Sequence, residues 1–278
     1  VTSLLQEIKE LGVVPQQALG QHFLIDQGIA AKIIRLAGLV PDDVVVEIGP
    51  GTGVLTFRIL PLVKKVIAVE LDSEMAAYLR KKGKDNSTLT IVRQDALGFD
   101  FARAARDADR RITIVANLPY NIATQVVFRL LDYRQSLTRF TLMLQREVAQ
   151  RITASPGNKS YGLLSIFTQL FTEPKIVMRV PPEAFYPVPR VESAVVGFDV
   201  LGQPRVAIED EKFFKTVVKA SFAQRRKTLL NALRGAPFPL SKEQIEQALQ
   251  AAGIDPRRRA ETLDLTEFQH LASALKRA

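Results

Sequence analysis

The run Val44-Val45-Val46-Glu47-Ile48 leads straight into Gly49-Pro50-Gly51-Thr52-Gly53, and Leu55, Ile59 and Leu60 follow at helical spacing. A short β-branched run closed by such a turn reads as a buried parallel strand, so the chain enters a strand, a tight glycine turn and a helix. That turn admits a ligand close to the backbone, beside the N-terminus of the next helix. A dinucleotide fingerprint needs its third glycine at position 54, where this chain has Val54. The spacing G-x-G-x-G therefore departs from it.

Further strand-like runs alternate with helix-like ones: Val66 to Glu70, Leu89 to Val92, Ile112 to Ala116 and Arg139 to Leu144, with helical spacing between them, as at Ile122 to Leu131. Alternation of this kind predicts a doubly wound α/β architecture with a parallel sheet. Pro174 to Val180 and Ser193 to Val200 read as strands flanking a proline-rich loop, a hairpin-like pair that completes the sheet. After Leu201-Gly202-Gln203-Pro204 only helical patterns remain, with helix starts expected at Ser241 with Gln244 and at Thr266 with Gln269, and a stop at Gly253. Residues 1–200 are thus expected to form a catalytic domain and 201–278 a small helical one.

Two strand ends carry acids. Glu70 closes the second strand, where a carboxylate can accept hydrogen bonds from both ribose hydroxyls of either NAD or S-adenosylmethionine. Asp95 follows the third strand and is suited to the adenine amine of a cofactor; taken alone, a helix N-cap is its commoner role. The fourth strand ends in Asn117-Leu118-Pro119-Tyr120. An exocyclic adenine amine is a poor nucleophile because its lone pair is delocalised into the ring. The Asn117 side-chain oxygen and the Leu118 carbonyl can accept its two N–H bonds, Pro119 keeps the turn rigid, and Tyr120 can stack on the base. Such a pocket reads only an extruded or single-stranded base. Asn and Pro also favour turns for purely local reasons.

In order, Leu19-Gly20-Gln21-His22-Phe23-Leu24, the glycine turn, Glu70-Leu71-Asp72, Asp95-Ala96-Leu97, Asn117-Leu118-Pro119-Tyr120-Asn121, Phe185 to Val195 and Phe222-Ala223-Gln224-Arg225-Arg226-Lys227-Thr228-Leu229 resemble one family across nearly the whole chain. It is the small-subunit ribosomal RNA adenine dimethyltransferase family (KsgA/RsmA), within the Rossmann-like class I S-adenosylmethionine-dependent methyltransferases. The resemblance implies dimethylation of two adjacent adenosines near the 3′ end of 16S ribosomal RNA. It implies that S-adenosylmethionine is held by His22, Leu24, Gly49, Gly51, Gly53, Glu70, Leu71, Asp95, Ala96 and Asn117. It also places Phe185, on a loop stiffened by Pro187 and Pro189, as a second aromatic facing Tyr120 across the base, although core packing is equally open to that ring.

No cysteine is present, which excludes a disulfide framework, a thiolate zinc site and a cysteine nucleophile, and the two histidines, His22 and His270, lie far apart. No apolar stretch is long enough to span a bilayer. Leu4, Leu5, Ile8 and Leu11 within Val1 to Pro15 read as a short amphipathic helix rather than a secretory leader, and a cytoplasmic monomer is expected. The net charge of +9 and a pI near 9.8 favour a polyanionic partner, the small ribosomal subunit in the family reading. Residues 201–278 carry 14 Lys and Arg against 9 Asp and Glu. Short basic runs are commonly solvated faces; in an RNA-binding chain Arg225, Arg226, Lys227, Arg257, Arg258 and Arg259, with Lys159 on a mobile loop, become candidates for phosphate contact. Three other readings stay open: a large-subunit enzyme of the macrolide-resistance type, a ribosome assembly factor with little catalysis, and a nucleotide-dependent oxidoreductase, which the absent third glycine disfavours.

Overall fold

A computed structural model describes residues 21–224, 226–236 and 239–278. The amphipathic segment expected within Val1 to Pro15, Leu19-Gly20 of the first family motif, and Arg225 lie outside the described residues. The chain divides into two compact units, one comprising residues through Ala149 with Glu173–Val200, the other Gln150–Thr172 with Leu201–Ala278. The change of pattern at Leu201 coincides with a unit boundary. Gln150–Thr172, counted with the first domain on sequence, groups with the helices.

The first unit is built on a seven-stranded sheet of β2 (Val44–Ile48), β3 (Lys65–Glu70), β4 (Leu89–Arg93), β5 (Ile112–Asn117), β6 (Leu137–Gln145), β7 (Thr172–Val180) and β9 (Ser193–Val200), in the order β4-β3-β2-β5-β6-β9-β7. The strands from β4 to β6 are parallel and β9 runs antiparallel to β6. All five residues of β2 are buried, as a central strand covered on both faces requires. The chain winds outward from β2 to β4 and then returns to β5 on the other side of β2, so the order reverses between β2 and β5. Ligands of open α/β sheets bind beyond the strand C-termini at such a reversal. Here the glycine turn follows β2, and Asn117-Leu118-Pro119-Tyr120 follows β5.

Helices α1 (Gln27–Leu36), α2 (Thr56–Ile59), α3 (Ser73–Lys82), α4 (Phe101–Asp107) and α5 (Ala123–Asp132) connect these strands. Asp26 starts α1 by accepting from the Ile29 N–H, and Asp72 starts α3 by accepting from Glu74 and Met75. The helix expected after the glycine turn is only the four residues of α2, followed by a 3-10 turn at Leu60–Leu62. So short a helix has little macrodipole to offer a ligand.

The late strands are neighbours, as the hairpin-like reading requires, with β9 between β6 and β7. A small antiparallel ribbon, β1 (Phe23–Leu24) on β8 (Phe185–Tyr186), was not foreseen; it pairs Phe23 with Tyr186 and Leu24 with Phe185.

After α6 (Arg146–Ile152), the second unit contains α7 (Leu163–Phe171), α8 (Glu211–Phe222), α9 (Leu229–Leu233), α10 (Lys242–Ala251) and α11 (Leu265–Arg277). Phe214, Val217, Leu233, Leu249, Phe268 and Leu271 form its buried centre. Ser241 and Gln244 make the expected capping box, and Gly253, with φ +72°, follows the end of α10. The last helix starts earlier than Thr266, because Asp264 and Glu267 form its reciprocal cap. Within Ser155 to Ser160 the Gly157 N–H donates to the Glu261 carbonyl at 2.7 Å, and Asn158 closes a turn with Ser160 and Tyr161. No helix among the described residues is long and apolar enough to cross a membrane.

Candidate active site

One cavity at the C-terminal ends of β2, β3 and β5 is lined by His22, Leu24, Gly49, Gly51 and Glu70 together with the whole Asn117-Leu118-Pro119-Tyr120 segment. Residues from four separate stretches thus meet where the strand order reverses. Gly49, Gly51 and Gly53 have φ of +65°, +53° and +81°, a region that side chains with a Cβ rarely enter. At Gly51 a Cβ would also stand 3.1 Å from the Phe23 ring, so the turn closes directly over β1. Gly53 does not line the cavity; its α-carbon backs onto Phe57 and Leu79, and its role is to let the turn pack.

Glu70 is buried, with Oε2 accepting from the Gly51 N–H at 3.1 Å and Oε1 from the Asp72 N–H at 2.9 Å. Each carboxylate oxygen retains capacity for a further donor, such as a hydroxyl. Burial raises its pKa above the usual carboxylate value, against the opposing effect of those backbone donors.

A second acid, Glu47, passed over on sequence as part of a strand motif, also lines the cavity. It is 1% exposed, accepts from the Thr56 hydroxyl at 2.5 Å, and is pushed up to about 8, chiefly by burial, with the Thr56 bond pulling down and the nearby Glu70 charge adding to the rise. The glycine turn therefore stands between two buried carboxyl groups. A pyrophosphate would bring negative charge against Glu70 and keep Glu47 protonated, whereas a bound sulfonium or ammonium group favours the carboxylate form of both acids and finds its counter-charge there. That fits S-adenosylmethionine, whose cationic groups and ribose hydroxyls match the acids present.

The Asn117 Nδ2 donates to the His22 carbonyl at 3.1 Å, which fixes the amide so that Oδ1 is the atom left for a ligand. The Leu118 N–H is engaged by the Met143 carbonyl, tying the turn to β6. His22 Nδ1 lies 2.7 Å from the Pro187 carbonyl; a carbonyl can only accept, so Nδ1 carries the proton. Tyr120 is partly buried, its ring 5.1 Å from that of His22 and its hydroxyl 2.7 Å from Ser193 Oγ.

Phe185 is not in this cavity. It is fully buried in the core with Leu24, Ile33 and Val180, because its pairing with Leu24 turns the ring inward and leaves the next residue, Tyr186, half-exposed. The core alternative is the one the structure adopts. Asp95 and Ala96 sit at the end of β4 beside Gln94, whose N–H donates to the Glu70 carbonyl. Asp95 Oδ1 caps the 3-10 turn Ala96–Gly98 through the Leu97 N–H at 2.8 Å, so capping is realised and one carboxylate oxygen is left over. Leu71 is more than half exposed next to Glu70.

In the helical unit Arg226, Lys227 and Arg259 are exposed. Arg257 pairs with Asp255 at 3.0 Å, and Arg258 grips both carboxylate oxygens of Glu267 and the Thr262 carbonyl. Arg258 is thus committed to holding the start of α11. Lys159 is exposed on the turn described above.

The sequence profile of the family described as "Ribosomal RNA adenine dimethylase" matches residues 15–276. The chain is 47% identical to "Ribosomal RNA small subunit methyltransferase A" of Syntrophotalea carbinolica, over 94% of this chain and 97% of that one. Among solved structures, it is similar to a dimethyladenosine transferase from Plasmodium falciparum, with a TM-score of 0.76, 27% identity, and 90% and 96% of the two chains covered. It is also similar to the 23S rRNA methyltransferase ErmE, with a TM-score of 0.69, 25% identity, and 91% and 99% covered. With a fold of the class I methyltransferase type and a match over almost its whole length, the chain belongs to the ribosomal RNA adenine dimethylase family, enzymes that use S-adenosylmethionine to methylate adenine in ribosomal RNA.

Proposed function

We propose that this chain methylates the N6 amines of two adjacent adenosines near the 3′ end of 16S ribosomal RNA, giving N6,N6-dimethyladenosine during ribosome biogenesis in the cytoplasm. The observation that carries the chemistry is the orientation of Asn117, whose Nδ2 is held by the His22 carbonyl while Oδ1 is left to accept from a substrate amine. Bound S-adenosylmethionine supplies an electrophilic methyl group on a sulfonium. Glu70 would hold the ribose hydroxyls, Asp95 the adenine amine, and Glu47 with Glu70 would balance the positive charge. Asn117 Oδ1 and the Leu118 carbonyl would accept the two N–H bonds of the target adenine, and Tyr120 would cover one face of the base.

In the first transfer, with both amine hydrogens held, the nitrogen lone pair is released from the ring and aimed along the line of the methyl group. The amine gives up one proton to water at each transfer and has a single N–H left to be held in the second. Rate then comes mainly from alignment and needs no strong base. Arg226, Lys227 and Arg259 on the helical unit would meet phosphates, with the small subunit or its precursor as the partner and a monomer as the working form.

Asn117→Ala should reduce single-turnover methyl transfer by a factor on the order of 10² to 10³, comparable to removing one preorganised polar group from an active site. Affinity for S-adenosylmethionine and for RNA, measured in parallel, should stay within a few-fold of the parent. Transfer at the parental rate would show that the amine is polarised by something else.

A further inference from the structure

Tyr120 belongs to the short connection between β5 and α5, outside any strand or helix, so regular backbone structure does not orient its ring. Two side chains do. The ring of His22 lies against it, 5.1 Å between centroids and 31° between planes, and the hydroxyl at its far end is 2.7 Å from Ser193 Oγ. Ser193 is fully buried and is the first residue of β9, paired with Gln145 at the end of β6. The hydroxyl pair therefore reaches from the loop after β5, across β6, to a fixed point in the sheet.

We propose that Ser193 is a positioning residue for methyl transfer, its hydroxyl clamping the phenol oxygen of Tyr120 so that the long axis of the ring is set before the target base arrives. The inference rests on the reading that Tyr120 stacks on the base, and it adds a role for the tyrosine hydroxyl, which stacking alone does not need. A tyrosine side chain turns about two torsions; the bond to Ser193 fixes where its outer end points, and the His22 ring against it limits the turn of the ring about its own axis. A base entering the pocket then meets an ordered platform and does not have to order one itself. Ser193 in turn requires a partner, since a buried hydroxyl left unpaired is costly. Burial raises the Tyr120 phenol above its ordinary pKa, with the Ser193 bond opposing, so the hydroxyl keeps its proton in neutral solution.

The test measures kcat and KM for Tyr120→Phe, Ser193→Ala, the double variant and Tyr120→Ala, using unmethylated small ribosomal subunits and S-adenosylmethionine. Each single change should lower kcat about tenfold, corresponding to about 1.4 kcal/mol of barrier. KM for S-adenosylmethionine should be unchanged, and the double variant should be no slower than either single one, because both remove the same bond. A parental kcat in either single variant, or a double variant whose loss is the product of the two, overturns the clamp. Should Ser193→Ala fail to fold, Tyr120→Phe decides alone, since its ring remains and only the hydroxyl is lost. Tyr120→Ala separates the two layers of the argument. If it is inactive while Tyr120→Phe and Ser193→Ala run at the parental rate, stacking stands and the clamp falls; if it turns over normally, stacking itself falls.

Discussion

Glu47 is a buried acid in the lining of the cavity beside the glycine turn. The acid is buried and its pKa is pushed up to about 8, from 4.5, mainly by loss of water. The folded protein thus holds a proton that the unfolded chain releases above about 4.5, and the empty protein loses stability as pH rises from there through about 8. Glu47→Gln should flatten that loss, visible as a thermal midpoint that varies less with pH over the same range. A bound cation favours the carboxylate, so binding of S-adenosylmethionine near neutral pH should release a proton in the parent and none through this group in Glu47→Gln. Calorimetric titration in buffers of different ionisation enthalpy counts those protons; equal release by both proteins would remove Glu47 from cofactor binding. Its neighbours were largely legible in the sequence. Glu70 and Asn117 end strands, Gly51 and Tyr120 sit in the turns that follow strands, and strand ends are where such a fold places its ligands. Glu47 was not, since an acid inside a strand carries no sign of the packing that buries it. Phe185 illustrates the converse: a ring on a proline-rich loop reads as pocket or core with equal ease, and only its pairing with Leu24 settles the direction.

Among elements, those with strong local signals were read and those held by distant partners were not. The strand at Val44–Ile48 and the capping box of Ser241 and Gln244 lie within a few residues of sequence. The ribbon of Phe23–Leu24 on Phe185–Tyr186 joins two-residue strands far apart in the chain, too short to show any period. The start of α11 went astray because Asp264 with Glu267 and Thr266 with Gln269 both fit a capping pattern, and Arg258 favours the former by holding Glu267. Arg258→Ala should lower unfolding stability by about 1–2 kcal/mol, the range for charge-assisted hydrogen bonds in a partly exposed setting. Chemical denaturation measures it, and a change within error would show the pair to be idle. In the glycine turn, Gly51→Ala meets both a positive φ and the Phe23 ring. It should cost about 1–2 kcal/mol from the left-handed backbone alone and weaken S-adenosylmethionine binding, whereas wild-type affinity would show that the turn can rebuild.

For the whole molecule, alternation of strand and helix patterns gave the doubly wound class, and the change to helices after Leu201 gave a boundary. The grouping of Gln150–Thr172 with the helical unit was invisible, because it depends on long-range packing such as the Leu201 N–H on the Phe171 carbonyl. The excess positive charge of +9 carries no address by itself, but the structure separates basic side chains that are exposed from those spent internally. Lys227→Ala should weaken RNA binding and reduce the slope of log affinity against log salt by about 0.7–1, as for one lost phosphate contact. Arg258→Ala should leave that slope alone. The substrate is settled by incubating the enzyme with labelled S-adenosylmethionine and either small or large ribosomal subunits lacking the modification, then mapping the label and identifying the nucleoside by mass spectrometry. The expected result is N6,N6-dimethyladenosine at two adjacent adenosines near the 3′ end of the small-subunit RNA; label confined to large-subunit RNA, or binding to small subunits without transfer, would contradict the account.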